Sequence, residues 1–148
     1  MKLTPNFTLD ELTASDWAAR KGISNYPTPE IIEHLRLVAV AMELVRNVLG
    51  GHPIYIKSGY RSPVVNEAVG GSLTSAHMQG LACDFICPAF GPPLAVARAI
   101  QAAGIEYDQL ILEYGWVHLG LSLGPNGPRH MALTKRSASA PYERGINA

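Results

Sequence analysis

His77, Asp84 and His118 have the side chains and the setting of a metal site. They occur in Ser75-Ala-His77-Met-Gln-Gly80-Leu-Ala-Cys-Asp84 and in Trp116-Val-His118. Two imidazoles and one carboxylate form a three-ligand set for zinc, and a catalytic zinc keeps three protein ligands with its fourth position open to water. A lone histidine is ordinarily a polar surface group, and a lone Asp at a strand start is ordinarily a turn or cap residue. Here the surroundings argue otherwise. Asp84 interrupts the apolar run Leu81-Ala-Cys-Asp-Phe-Ile-Cys, and His118 interrupts Trp116-Val-His-Leu-Gly-Leu. A carboxylate inside a buried strand is costly unless it is paired or metal-bound. Two such interruptions in one short chain imply one shared site.

These residues need elements to bring them together. The step from His77 to Asp84 does not fit one face of a helix, which wants three or four residues. It fits a polar loop, residues 72–80, that turns at Gly80 and enters a strand over 81–87. Cys83 and Cys87 then face one side of that strand and Asp84 the other, so both cysteines read as small core residues. His118 arrives on a later strand, 116–122, after a strand over 107–114 and a turn at Gly115. Upstream, Thr8-Leu-Asp-Glu11 is a capping box that opens a short helix, with Phe7 as its staple. Thr28-Pro29-Glu30 opens the longest helix. Ile32, Leu35, Ala39, Met42, Val45 and Leu49 form its core stripe, and Gly50-Gly51 ends it. Residues 53–58 alternate as a strand, Ser62-Pro63 caps a short helix, and 94–103 is an alanine-rich helix stopped by Gly104. The tail, 123–148, has weak periodicity and is expected either to wrap the domain or to be mobile.

Ser58-Gly-Tyr-Arg61-Ser-Pro, Ser75-x-His77-x-x-Gly80-x-Ala82-x-Asp84 and Trp116-Val-His118, taken in order, resemble the zinc D-Ala-D-Ala peptidases, most nearly their carboxypeptidase branch. That family includes phage endolysins and shares its fold with the signalling domain of hedgehog proteins. The resemblance runs over about residues 7–122. It implies an α+β domain with a small antiparallel sheet carrying zinc and packed with helices, hedgehog/DD-peptidase-like. It also implies a substrate, the stem peptide of peptidoglycan.

Hydrolysis needs a base beside the metal to take a proton and deliver it to the leaving amine. Glu113 is the candidate. If Tyr114-Gly115 is a two-residue hairpin loop, Glu113 lies opposite Trp116 and one diagonal step from His118, roughly 7 Å across the pair. Several relatives place an acid three residues before the last His, where this chain has Gly115. Glu113, five before it, resembles the phage members of the carboxypeptidase branch. Asp108 is the next candidate. Arg61 leaves a strand end and can point along the sheet; a turn arginine is ordinarily solvated, but the resemblance favours a guanidinium that holds a substrate carboxylate or a developing oxyanion. Ser75 either contacts substrate or caps its loop, and Trp116 is either a site wall or core. His34, His52 and His130 read as surface residues.

At 148 residues the chain is expected to form one domain with a real core. Its composition, 47% hydrophobic and 16% charged, is that of a globular protein. With 12 basic and 12 acidic residues the formal net charge is zero, which recommends neither nucleic acid nor an anionic membrane as partner. No apolar run is long enough to span a bilayer, and the N-terminus lacks a signal-peptide pattern. The expectation is a monomer made in the cytosol that acts on the cell wall after release. Two classes of function remain: a zinc peptidase of peptidoglycan, or a non-catalytic domain in which zinc serves the fold, as in a phage tail-associated protein. Glu113 and Arg61 favour the enzyme, because a structural zinc needs neither.

Overall fold

The long helix forms where its signals stand. In the computed structural model, which describes residues 1–148, it runs Pro29–Val48 (α3), with Thr28 Oγ1 accepting from the Ile31 amide. Leu35, Ala39, Met42, Val45 and Leu49 are fully buried, while Ile32 is only half-buried and Val38 joins the stripe instead. Packing divides the chain into two compact units, Met1–Glu43 with Ser58–Cys83, and Leu44–Lys57 with Asp84–Ala148.

In the first unit, Lys2–Thr4 (β1) pairs with Phe7–Thr8 (β2). The capping box at Thr8 and Glu11 closes in both directions and starts Leu9–Thr13 (α1). A second short helix, Asp16–Lys21 (α2), follows, where the sequence pattern predicts a single helix. Ser15 caps it on the Ala18 amide, and Gly22 ends it in the left-handed region. Ser62 caps Pro63–Ala68 (α4), and the loop that follows tightens into a 3₁₀ turn, Ala76–Gln79.

The six-stranded sheet has the order β3-β4-β6-β5-β7-β8. Its strands are Tyr55–Ser58 (β3), Ala82–Ile86 (β4), Gln109–Leu112 (β5), Val117–Gly120 (β6), Met131–Lys135 (β7) and Tyr142–Arg144 (β8). β5 pairs antiparallel with β6, and β7 with β8, whereas β5 and β7 are parallel. The tail is therefore neither loose nor a simple wrap: it supplies two strands. Pro93–Ala102 (α5) packs on β5 and β6, burying Val96, Ala97 and Ile100. On β5 and β6, Leu110, Leu112, Val117 and Leu119 are buried on one face, which leaves Ile111, Glu113, Trp116 and His118 on the other. Cys83 and Cys87 are both buried. No helix is long and apolar enough to cross a membrane.

Candidate active site

His77 lies in the 3₁₀ turn and is held by backbone. Its Nδ1 is 2.7 Å from the Gly59 carbonyl oxygen. A carbonyl can only accept, so Nδ1 carries the proton and Nε2 is the basic nitrogen, the arrangement in which a backbone carbonyl orients a metal-binding imidazole. Gly59 itself lies tight against α1, where a Cβ would run into the Leu12 carbonyl. The turn leaves through Gly80 at φ +69, where a Cβ would also stand 2.7 Å from Ile31 Cγ2. His34 of α3 adds a second tie, its Nδ1 2.7 Å from the Gln79 carbonyl oxygen. The sequence predicts His34 as a surface residue, and no motif marks this contact. It is a positioning residue for the turn that bears His77.

Asp84 is the third residue of β4, and His118 the second of β6. His118 Nδ1 is 3.0 Å from Asp84 Oδ1, and both side chains are buried. The ligand atoms of His77, Asp84 and His118 all lie within 4.8 Å of one another. Donors bound to one zinc at about 2.0–2.2 Å stand roughly 3.4 Å apart, so this group has the size as well as the chemistry to hold the ion. The borderline-soft donor set of two imidazoles and a carboxylate suits zinc better than magnesium or calcium, which take oxygen.

Glu113 follows β5 and is half-buried. Its amide donates to the Trp116 carbonyl at 3.0 Å, closing a tight turn over Tyr114 and Gly115. The Trp116 indole Nε1–H in turn donates to Glu113 Oε2 at 3.0 Å. Trp116 thus orients the carboxylate, and it also packs edge-on against Tyr114 with ring centroids 4.6 Å apart. Burial and then the negative charge of Asp84 push the Glu113 carboxyl above the usual carboxylate range; His118, the Trp116 bond and Lys135 act against that rise. Asp108, the alternative base, has another task. Its carboxylate accepts from Arg129 Nε, Nη2 and backbone amide. Those bonds, led by the guanidinium, hold its carboxyl below the usual range.

Arg61 follows β3. Its amide donates to the His77 carbonyl at 3.0 Å, and its Nη2 reaches Ser75 Oγ at 3.4 Å. Ser75 Oγ also caps the 3₁₀ turn through the His77 amide. Of the two readings of Ser75, loop cap and substrate contact, the loop cap is seen, and the same hydroxyl neighbours Arg61. Asn25, which no sequence pattern singled out, bonds the Tyr60 carbonyl and the Ser62 amide on either side of Arg61.

A family model described as peptidase M15 matches residues 5–120. The chain belongs to that family. It is thereby a member of the zinc D-Ala-D-Ala peptidases, as the three sequence motifs implied, and the His-Asp-His group that could hold their metal is present. No curated protein matches the chain. The match to the peptidase M15 family ends at Gly120, so β7 and β8 lie beyond it.

Proposed function

We propose that this peptidase M15 member is a zinc-dependent hydrolase of peptide bonds in peptidoglycan stem peptides. His77, Asp84 and His118 hold the metal, Glu113 is general base and acid, and Arg61 reads an anionic group of the substrate. The observation that carries the reading is a buried His-Asp-His group accompanied by a half-buried carboxylate, Glu113, on the same hairpin as His118. A zinc that served only the fold would need no such base.

Zinc held there supplies Lewis acidity toward the scissile carbonyl and toward water. Glu113 takes the proton from the attacking water and returns it to the leaving amine. Burial, the largest cause of its raised carboxyl, suits both halves of that task, since it favours the protonated form that the leaving amine must draw on. Trp116 keeps Oε2 occupied by one N–H and so fixes the plane of the carboxylate. Arg61, with Ser75 beside it, offers a planar fork for a substrate carboxylate or for charge that develops on the carbonyl oxygen.

The deciding experiment is a digest of purified peptidoglycan by metal-loaded protein, with products identified by mass. Released terminal D-Ala identifies a carboxypeptidase, and opened cross-links an endopeptidase. A fully loaded protein that cuts no peptide bond in walls of several stem compositions overturns the proposal.

A further inference from the structure

The strand register aligns four side chains in one row across the sheet. Lys135 of β7 is the partner of Tyr142 of β8. Leu112 of β5 is the partner of Thr134 of β7, so Glu113, one residue on, stands beside Lys135. Glu113 is in turn bonded to Trp116. Cross-strand partners share a face, so Tyr142, Lys135, Glu113 and Trp116 lie on the face that carries His118. The first two belong to the tail beyond the family match.

The Lys135 ammonium sits 4.3 Å from the centroid of the Tyr142 ring, and its Nζ donates to the Ala140 carbonyl at 2.7 Å. An ammonium has three donors; the ring and the carbonyl fix its place and leave one N–H for a further acceptor. Tyr142, at one end of the row, is 56% exposed, so ring surface is open to a ligand there. The negative charges of Glu113 and Asp84 also raise the Tyr142 hydroxyl, after burial, which agrees with a place near the site.

Resting on the peptidase reading above, we propose that Lys135 and Tyr142 form a substrate subsite that selects a stem-peptide residue bearing a carboxylate, two or three residues from the bond that is cut. The spacing follows from the sheet. Strands are about 4.8 Å apart and residues about 3.3 Å apart along a strand. Lys135 is two strands across and two residues along from His118, a backbone separation of roughly 12 Å on those spacings. An extended peptide covers about 3.3–3.6 Å per residue, and the lysine side chain shortens the remaining gap. The ammonium takes the carboxylate, and the Tyr142 ring carries the aliphatic part of the same residue.

The test uses the full-length, zinc-loaded Glu113→Gln protein, so that binding is read without hydrolysis. The probes are synthetic stem pentapeptides ending in D-Ala-D-Ala, with a carboxylate or its carboxamide at the second or the third residue from the terminal bond. Calorimetry should show one acid peptide bound about tenfold more tightly than its amide, the scale of one charge-assisted contact. Adding Lys135→Met should bring that ratio close to one, and Lys135→Arg should largely restore it. Zinc content and melting temperature establish that each variant is folded. An acid-to-amide ratio that is the same with Lys135 and with Met at that position overturns the subsite, as does a ratio of one in the parent. The two proposals fail separately. Wall digestion by the wild type with an indifferent Lys135→Met ratio removes only the subsite. Discrimination that depends on Lys135, without any digestion, removes only the hydrolase.

Discussion

Trp116→Phe separates the orientation of Glu113 from its presence. The substitution keeps an aromatic ring that can still pack edge-on against Tyr114, and it deletes one N–H, the donor 3.0 Å from Glu113 Oε2. A hydrogen bond to a charged acceptor contributes about 1.5–3 kcal/mol. The low end applies here, because Trp116 and Glu113 are both half-buried rather than sealed from water. If the whole of that contribution is spent on orienting the base, turnover falls by roughly tenfold to thirtyfold. The deletion of the base itself, in Glu113→Gln, should cost more, about 10²- to 10⁴-fold.

The sign of the pH effect is fixed by the same contact. The Trp116 bond stabilises the ionised carboxylate and so lowers a carboxyl that burial and Asp84 raise. Without it the carboxyl rises further, the ionised base is lost at higher pH, and the acid limb of the kcat/KM profile moves toward neutrality. The assay is hydrolysis of a soluble stem peptide from pH 4 to pH 9 at matched zinc content. A Trp116→Phe protein with wild-type turnover and an unmoved acid limb would refute both the orienting role of Trp116 and the assignment of the base to Glu113. A loss of zinc in Trp116→Phe would refute the separation of base from metal on which the comparison depends.

Three further outcomes are expected. His118→Ala should lose the bound metal, read by elemental analysis, and should lose the gain in melting temperature that zinc gives the wild type, because metal-binding energy adds to folding energy; full zinc retention would remove His118 from the ligand set. Arg61→Lys keeps the charge but not the planar fork, so it should weaken turnover several-fold at unchanged zinc content; wild-type digestion by Arg61→Ala would reduce Arg61 to a loop residue. Asp108→Asn should destabilise the protein by about 1–2 kcal/mol at pH 7, since it weakens a largely buried acceptor of Arg129 while the half-exposed guanidinium stays solvated. The Asp108 carboxyl is held below its ordinary value, so its contribution is present above the unfolded pKa and disappears as pH falls through the lower, folded one; urea melts of the two proteins should therefore converge in acid.

What the sequence revealed and what it hid follow from how local each signal is. The Thr8–Glu11 box, the α3 entry at Thr28-Pro29 and the turn between Glu113 and Trp116 are each decided within a few residues, and each forms where its pattern stands. Asp84 and His118 were legible because polar groups inside apolar strands demand a partner, whereas His77, in a polar turn, was marked only by the motif around it. β7 and β8 were not legible. Met131, Ala132 and Leu133 are only half-buried and Tyr142 is exposed, so alternation is faint, and the pairing that makes β7 a strand is with β5, across the whole β6 hairpin. His34 was missed for a related reason: its partner is a main-chain carbonyl 45 residues away, and a backbone acceptor leaves no mark in sequence.

The distribution of the site along the chain explains why one hairpin matters more than its length suggests. His118 and Glu113 are separated by five positions and one tight turn, and Trp116, which orients the base, lies between them. The proposed ligand, the proposed base and the donor to its carboxylate therefore all lie on the one β5–β6 hairpin, and the face opposite them is anchored by Leu110, Leu112, Val117 and Leu119. His77 has no strand to fix it. Its position depends on the Gly59 carbonyl at its ring and on Gly80, whose missing side chain lets the turn end against Ile31 of α3. An added residue in the Tyr114–Gly115 loop should therefore be absorbed by the loop, because the buried residues of the opposite face fix which way Glu113 and His118 point. What it should disturb is the closure between the Glu113 amide and the Trp116 carbonyl, and with it the indole bond that orients the Glu113 carboxylate.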